Sequence, residues 1–234
     1  MLKAVVKELN ATLSVDKLFY QLSEGGSLPG SLLYESQDEF GAYTGFSIGI
    51  FKPSVCLSGK GEQFSYDALD QRGQAILASI KQHTHAVEVK KTKTRLHGKL
   101  SPDLSQTYLP KRLAACNHMQ LVRALLLPIE VEAQYAHLPL GAFGGFAYDF
   151  IRQFEAIPQA KSDKILDDDY CFYLATRLFI IDYNTRKSYL ISLIPNAASF
   201  SDAQTDIDFM LAATKKDQPI SFKPVAVGDL KSDT

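Results

Sequence analysis

Tyr170-Cys171-Phe172-Tyr173-Leu174-Ala175-Thr176-Arg177-Leu178-Phe179-Ile180-Ile181 is apolar at almost every position. A strand with one wet face alternates apolar and polar residues, whereas a strand covered on both faces does not. The stretch therefore predicts a strand in the middle of a sheet. Asp182-Tyr183-Asn184-Thr185 supplies turn chemistry, and Lys187 to Ile194 returns as a second apolar run. A long antiparallel hairpin from Tyr170 to Ile194 is expected at the centre of the core, with Phe172, Leu174, Leu178 and Ile180 buried.

Upstream of the hairpin, Gly141-Ala142-Phe143-Gly144-Gly145-Phe146-Ala147-Tyr148-Asp149 mixes small and aromatic residues. Its glycines are not spaced for a dinucleotide loop, and they read as places where two backbones or a large ring approach closely. Two further strands are expected at Ser31 to Ser36 and at Tyr43 to Phe51, the latter with Phe46, Ile48 and Ile50 on one face. Val55-Cys56-Leu57 resumes extended structure before a Gly59-Lys60-Gly61 turn. Helices are expected from Ser14 to Leu22, capped by Ser14 and ended at Gly25-Gly26. Others are expected from Tyr66 to Ile80, from Asn117 to Leu127 with an Asn117/Gln120 capping box, and from Ala203 to Thr214 capped by Ser201. Residues 81 to 108 show little periodicity, and their basic run Lys90, Lys91, Lys93, Arg95 reads as a solvated strand or loop. The sum is an α+β fold with a largely antiparallel sheet flanked by helices. Apolar periodicity fades after Lys216, so residues 217–234 read as an interdomain linker following a domain of residues 1–216.

Composition sets limits on function. The chain has 234 residues, 46% of them hydrophobic, and 25 Lys+Arg against 26 Asp+Glu. A net charge of −1 gives no reason to expect a nucleic-acid or anionic-membrane partner. No run of about 18 apolar residues and no secretory leader is visible, so a cytoplasmic protein is expected. Cys56, Cys116 and Cys171 read as buried thiols in a reducing compartment, and burial makes a nucleophilic Cys171 unexpected.

Motifs for nucleotide, zinc or serine chemistry are absent from the sequence. His83 and His85 lack further ligands for zinc, and Asp167-Asp168-Asp169 reads as a solvated loop, so no metal site is expected. Glu35-Ser36 is different in kind. A carboxylate and a hydroxyl at a strand end can together hold an ammonium group, although the same pair also serves as an ordinary strand-end turn.

These residues carry a resemblance. Leu32-Leu33-Tyr34-Glu35-Ser36 resembles the L-L-x-E-S segment of component I of anthranilate synthase. Gly144-Gly145-Phe146-Ala147-Tyr148-Asp149 followed by Phe154-Glu155-Ala156-Ile157-Pro158 resembles that family's G-G-x-x-A-Y-D…F-E-x-L-P stretch. Asp169-Tyr170-Cys171-Phe172-Tyr173-Leu174-Ala175 is similar to its D-Y-C-F-Y-L-A strand. Order and spacing agree, and the second motif is shared more loosely with aminodeoxychorismate synthase component I. That counterpart, and a free-standing tryptophan-binding or docking module, are the alternatives.

The resemblance implies the family's N-terminal regulatory and structural domain, ahead of a chorismate-binding region absent from this chain. That region would hold the catalytic residues and the Mg2+ ligands, so no catalytic residue, metal ligand or cofactor is expected in this chain. The whole enzyme would be a lyase of tryptophan biosynthesis, converting chorismate to anthranilate and pyruvate with ammonia from a glutamine amidotransferase subunit. Part of a feedback site for L-tryptophan would fall on Leu33, Glu35 and Ser36. Enteric members carry a Lys some residues further on, where this chain reads Phe40-Gly41-Ala42-Tyr43-Thr44-Gly45. Surface that packs on the missing region would be apolar and exposed here.

Overall fold

The structure is a computed structural model, and it describes residues 1–35, 45–81, 85–106, 108–157, 167–195 and 200–216. Strands β1 (Leu2–Leu9), β2 (Leu32–Glu35) and β3 (Phe46–Ile50) lead into β4 (Val55–Lys60) and β5 (Gln63–Ala68). They are followed by β6 (Val87–Lys91), β7 (Arg95–Lys99), β8 (Ile129–Glu130), β9 (Ala142–Phe146), β10 (Tyr170–Leu174), β11 (Arg177–Asp182) and β12 (Lys187–Pro195). The helices are α1 (Val15–Leu22), α2 (Gln71–Ser79), α3 (Leu109–Ala114), α4 (Met119–Leu125) and α5 (Phe200–Thr214). The fold is α+β, as expected, but the strands form two sheets, not one. The first has the order β2-β3-β11-β12-β1-β8 and the second β6-β7-β5-β4-β10-β9. All pairings are antiparallel except β1 with β8.

The expected single strand over Tyr170 to Ile181 is in fact two strands in different sheets. β10 pairs with β4 and β9 in the second sheet, and β11 pairs with β12 and β3 in the first. The switch falls on Ala175 and Thr176, small residues that hold regular backbone bonds on both sides. Ala175 N donates to Gly141 O, and Leu193 N donates to Thr176 O. Because the backbone stays paired through the switch, the only break in the hydrophobic pattern is Thr176-Arg177, two polar residues inside an otherwise apolar run. The chain makes the reverse crossing between β3 and β4. The two crossings lie side by side, with Ser54 Oγ and Thr176 Oγ1 2.7 Å apart and both residues fully buried. Helix α2 rests directly on that junction. A side chain at Gly73 would collide with the Ser54 carbonyl, so this glycine permits the close packing.

Burial follows from the layering. Leu178, Ile180, Ile191 and Leu193 of the first sheet share one core with Val55, Leu57, Tyr66, Leu96 and Leu174 of the second. The other face of the first sheet, with Phe179, Ile181 and Leu190, is covered by Val15, Leu18 and Leu22 of α1 and by Ile207 and Met210 of α5. The central strands β11 and β12 of the first sheet are thus dry on both sides, which is why they read as continuous apolar runs. The second sheet turns its other face outward, so β4 alternates buried and half-buried along its length. Phe172 sits at the rim of the shared core and is only partly buried, contrary to expectation, while Leu174, Leu178 and Ile180 are buried.

Several element boundaries differ from the sequence reading. Tyr66 and its neighbours form β5, and α2 starts only after Asp70, whose Oδ1 accepts from Gly73 N at 2.7 Å. Asp70 is a stronger start signal than apolar spacing, because it satisfies one of the free amides of the first turn. β4 runs on to Lys60, and the turn centres on Gly61 at φ +57°. In α4 the capping box does not form. Asn117 Oδ1 accepts from Met119 N, but the Gln120 amide reaches Ala115 O instead. The Ser14 side chain makes no cap bond, and Ser201 lies inside α5. Ser36, His83 and the stretch 217–234 lie outside the described residues.

Candidate functional site

β2 is an edge strand of the first sheet and pairs only with β3, Glu35 standing opposite Ser47. Alternation puts Leu33 and Glu35 on one side and Leu32 and Tyr34 on the other. Leu33 is half-buried against the α1–α5 core, so its outer surface is the part left for any ligand. Glu35 is exposed at the strand end, and among the described residues its carboxylate has no hydrogen-bond partner. Opposite it, the buried Ser47 Oγ is 3.0 Å from the Tyr183 hydroxyl.

Tyr34 points toward the edge of the second sheet. Its hydroxyl donates to Gly144 O at 3.3 Å, and its ring lies 5.7 Å from that of Phe143. Just before β2, Gly30 adopts φ +74°, and a side chain there would meet the Tyr173 ring and Pro53. The segments 32–35, 142–149 and 169–175, separated by up to about 130 residues in sequence, therefore converge on one corner of the molecule. Sequence reading found each of the three stretches. It missed Gly30, Phe143 and Tyr173 as the contacts that join them, since no spacing rule links residues so far apart.

Apolar side chains are exposed beside this corner. Tyr148 is 86% exposed and Phe146 45%, and Ile151 and Ile157 are also open to solvent. The Phe146 ring lies 4.3 Å from that of Phe150 and 4.8 Å from that of Phe172, so the exposed group is continuous with the core. Below it, Tyr170 is buried, its hydroxyl 3.0 Å from His118 Nδ1. His118 Nε2 donates to Leu100 O at 2.8 Å, which leaves Nδ1 to accept from Tyr170. Burial holds the imidazole below its ordinary value, outweighing the Leu100 carbonyl that favours its charged form. His118 is therefore a buried structural contact between Leu100 and Tyr170.

The outward face of the second sheet carries two polar rows, Cys171-Ser58-Ser65-His97 and Tyr173-Cys56-Asp67-Arg95. A cleft of about 850 Å3 lies over this face, away from Leu33 and Glu35. Most of its cations are already engaged: Arg95 with Asp67, Lys99 with Glu88, and Lys60 with Asp167 O. Within the first row and the second, Cys56 Sγ and Cys171 Sγ are 3.7 Å apart. With Cys56 as the donor in that contact, the Cys171 thiol is brought down to about 7, against the effect of burial. The same bond, with burial, pushes Cys56 up. Burial alone was expected to raise Cys171, and its thiol neighbour reverses that. Among the described residues, no three His, Cys, Asp or Glu side chains are placed to hold a metal ion. No helix among them is long and apolar enough to cross a membrane.

No family model matches the chain. It is 28% identical over 183 residues to anthranilate synthase component 1 of Vibrio cholerae, which covers 78% of this chain and 34% of that protein. It is 29% identical over 178 residues to the Escherichia coli K12 protein of the same name, covering 73% and 32%. The solved anthranilate synthase component I of Streptococcus pneumoniae TIGR4 aligns over 92% of this chain and 52% of that one, at 15% identity and a TM-score of 0.42. The chain spans about a third of the length of these two curated relatives. Over most of its own length, the chain is similar in sequence to anthranilate synthase component I.

Proposed function

We propose that this chain is the N-terminal regulatory and structural domain of anthranilate synthase component I, and that Leu33, Glu35 and Ser36 form part of a tryptophan feedback site. The observation that carries the reading is the convergence at Tyr34 and Gly144. The three motifs that resemble the family meet at one corner, beside exposed apolar side chains suited to cover by further protein. Glu35 offers a charge for an α-ammonium group, and the outer surface of Leu33 offers apolar contact. The chorismate-binding region would supply the rest of the pocket, the acid–base groups and the magnesium. The described residues of this chain do not fit a magnesium site, so no chemical step is placed on them. A glutamine amidotransferase subunit would deliver ammonia to the whole enzyme.

Anthranilate fluorescence with chorismate, magnesium and ammonium tests the reading on two polypeptides. The 234-residue chain alone should stay at the buffer blank, and a polypeptide continuing past Thr234 into a chorismate-binding region should turn over. Turnover by the chain alone, or a reading frame that stops at Thr234, would sink it.

A further inference from the structure

We propose that Cys56 and Cys171 form a reversible oxidation site on the outward face of the second sheet, which a small-molecule disulfide converts to an intramolecular disulfide. The two thiols come from residues 115 apart in sequence and touch at 3.7 Å. Both are half-buried on a face that is otherwise polar, so a small oxidant can reach them. The register sets their relation. Cys171 lies opposite Ser58 and Cys56 lies opposite Tyr173, which makes the cysteines diagonal neighbours on β4 and β10. Cys116, the third thiol, is also half-buried but has no thiol beside it.

The chemistry balances without any group the chain lacks beyond the oxidant. Cys171, as thiolate, attacks one sulfur of a disulfide R–S–S–R. A Cys171–S–S–R bond forms, the R–S–S–R bond breaks, and one R–S⁻ leaves. Cys56 then gives its proton to that departing thiolate and attacks Cys171 Sγ, which expels the second R–S⁻. Two protein thiols are oxidised by two electrons, and one external disulfide is reduced to two thiols. The order of attack is set by which thiol keeps the shared proton: with Cys56 as donor in the 3.7 Å contact the thiolate is at Cys171, and the Tyr173 hydroxyl lowers both thiols alike. Asp168 opposes that charge, and Asp67 faces Cys56 from β5.

Geometry also predicts that the bond is labile. Diagonal neighbours in an antiparallel pair have Cα atoms about 7–8 Å apart, beyond the roughly 4.4–6.8 Å that disulfides prefer. Closure must draw β4 and β10 together locally, and the resulting strain favours re-reduction.

The test uses the folded 234-residue chain in glutathione buffers of increasing disulfide fraction, followed by acid quench, alkylation and peptide mass mapping. The expected result is joint loss of the Cys56 and Cys171 thiols and a cross-linked peptide pair containing both. Dithiothreitol should reverse it, and Cys116 should stay free. In reduced protein at pH 7, Cys171 should alkylate roughly tenfold faster than Cys116, whose thiol burial and Asp103 push up. Cys56→Ser should stop the reaction at the Cys171–glutathione adduct. Mapping of the unsubstituted chain decides the matter even where that variant misfolds. An adduct on Cys171 that never resolves, equal reaction of Cys116, or no reaction short of unfolding would each overturn the proposal.

Discussion

The Tyr34 hydroxyl donates to the Gly144 carbonyl, and this one bond joins the edge strands of two different sheets. Gly144 has its place because β9 runs hard against β10. A Cβ at Gly144 would fall on the Cys171 carbonyl, a backbone atom that cannot swing aside. Gly144→Ala should therefore cost about 3 kcal/mol or more, near the upper end for overpacking, by denaturant titration. Gly145→Ala is the control. Nothing lies within 4 Å of its Cβ position, and the change should stay within about 0.5 kcal/mol. Equal effects at the two glycines would show that β9 is not packed as described.

The crossing between sheets is held by a half-buried ion network. Asp206 accepts from Arg72 at 2.7 Å, Arg177 at 2.8 Å and Ser192 at 2.6 Å, and Arg177 also bonds Asp70 at 2.9 Å. Asp206→Asn leaves Arg72 without its anion and Arg177 with Asp70 alone, and should destabilise by about 2 kcal/mol. Burial of Asp206 opposes its ionisation, but the Ser192 hydroxyl and the Arg177 and Arg72 charges outweigh it and hold the carboxyl below its ordinary value. A depressed carboxyl contributes stability above its unfolded value, near 3.9, and loses that contribution as pH falls through its lower folded value. Acid titration of the unfolding midpoint should therefore lose less stability below pH 4 in Asp206→Asn than in the unsubstituted chain. Identical acid profiles would place the network's effect elsewhere.

Leu178 is fully buried between the sheets, whereas Phe172 is only partly so. Leu178→Ala should cost about 2–5 kcal/mol, and Phe172→Ala about 2 kcal/mol, less than a fully buried Phe because part of its ring already faces solvent. A larger loss at Phe172 would mean that the aromatic rim with Phe146 and Phe150 holds the sheets together.

These contrasts explain what was legible in the sequence. Apolar period identified β3, β11, β12, α1 and α5, because each buries a regular stripe or a continuous run. It failed at Ala175-Thr176, where the only mark of the change of sheet is the polar pair Thr176-Arg177 within an otherwise apolar run. It failed at Tyr66, where a half-buried strand and a helix share similar apolar spacing until the Asp70 cap intervenes. Leu33 and Glu35 were found through the motif they belong to, since a strand end with one acid carries little physical signal by itself. The Cys56–Cys171 contact was out of reach, because register between β4 and β10 is a tertiary property.

The last prediction concerns regulation and follows from the position of Glu35, exposed at the end of an edge strand with Leu33 on the same side. An α-ammonium group binding there would pair with the Glu35 carboxylate, and the Ser36 hydroxyl would add a hydrogen bond. Removing one partner of a charged hydrogen bond costs about 1.5–3 kcal/mol. That is roughly ten- to a hundredfold in affinity. In a polypeptide that also carries the chorismate-binding region, Glu35→Gln and Ser36→Ala should each raise the tryptophan concentration for half-inhibition by that factor. Activity without tryptophan should change little, because neither residue would touch chorismate. The 234-residue chain alone should bind tryptophan weakly or not at all by calorimetry, with only one wall of the pocket present. Unchanged inhibition in both variants would leave Glu35 and Ser36 as an ordinary strand end, and would remove the effector site from this corner while leaving the relationship to anthranilate synthase component I untouched.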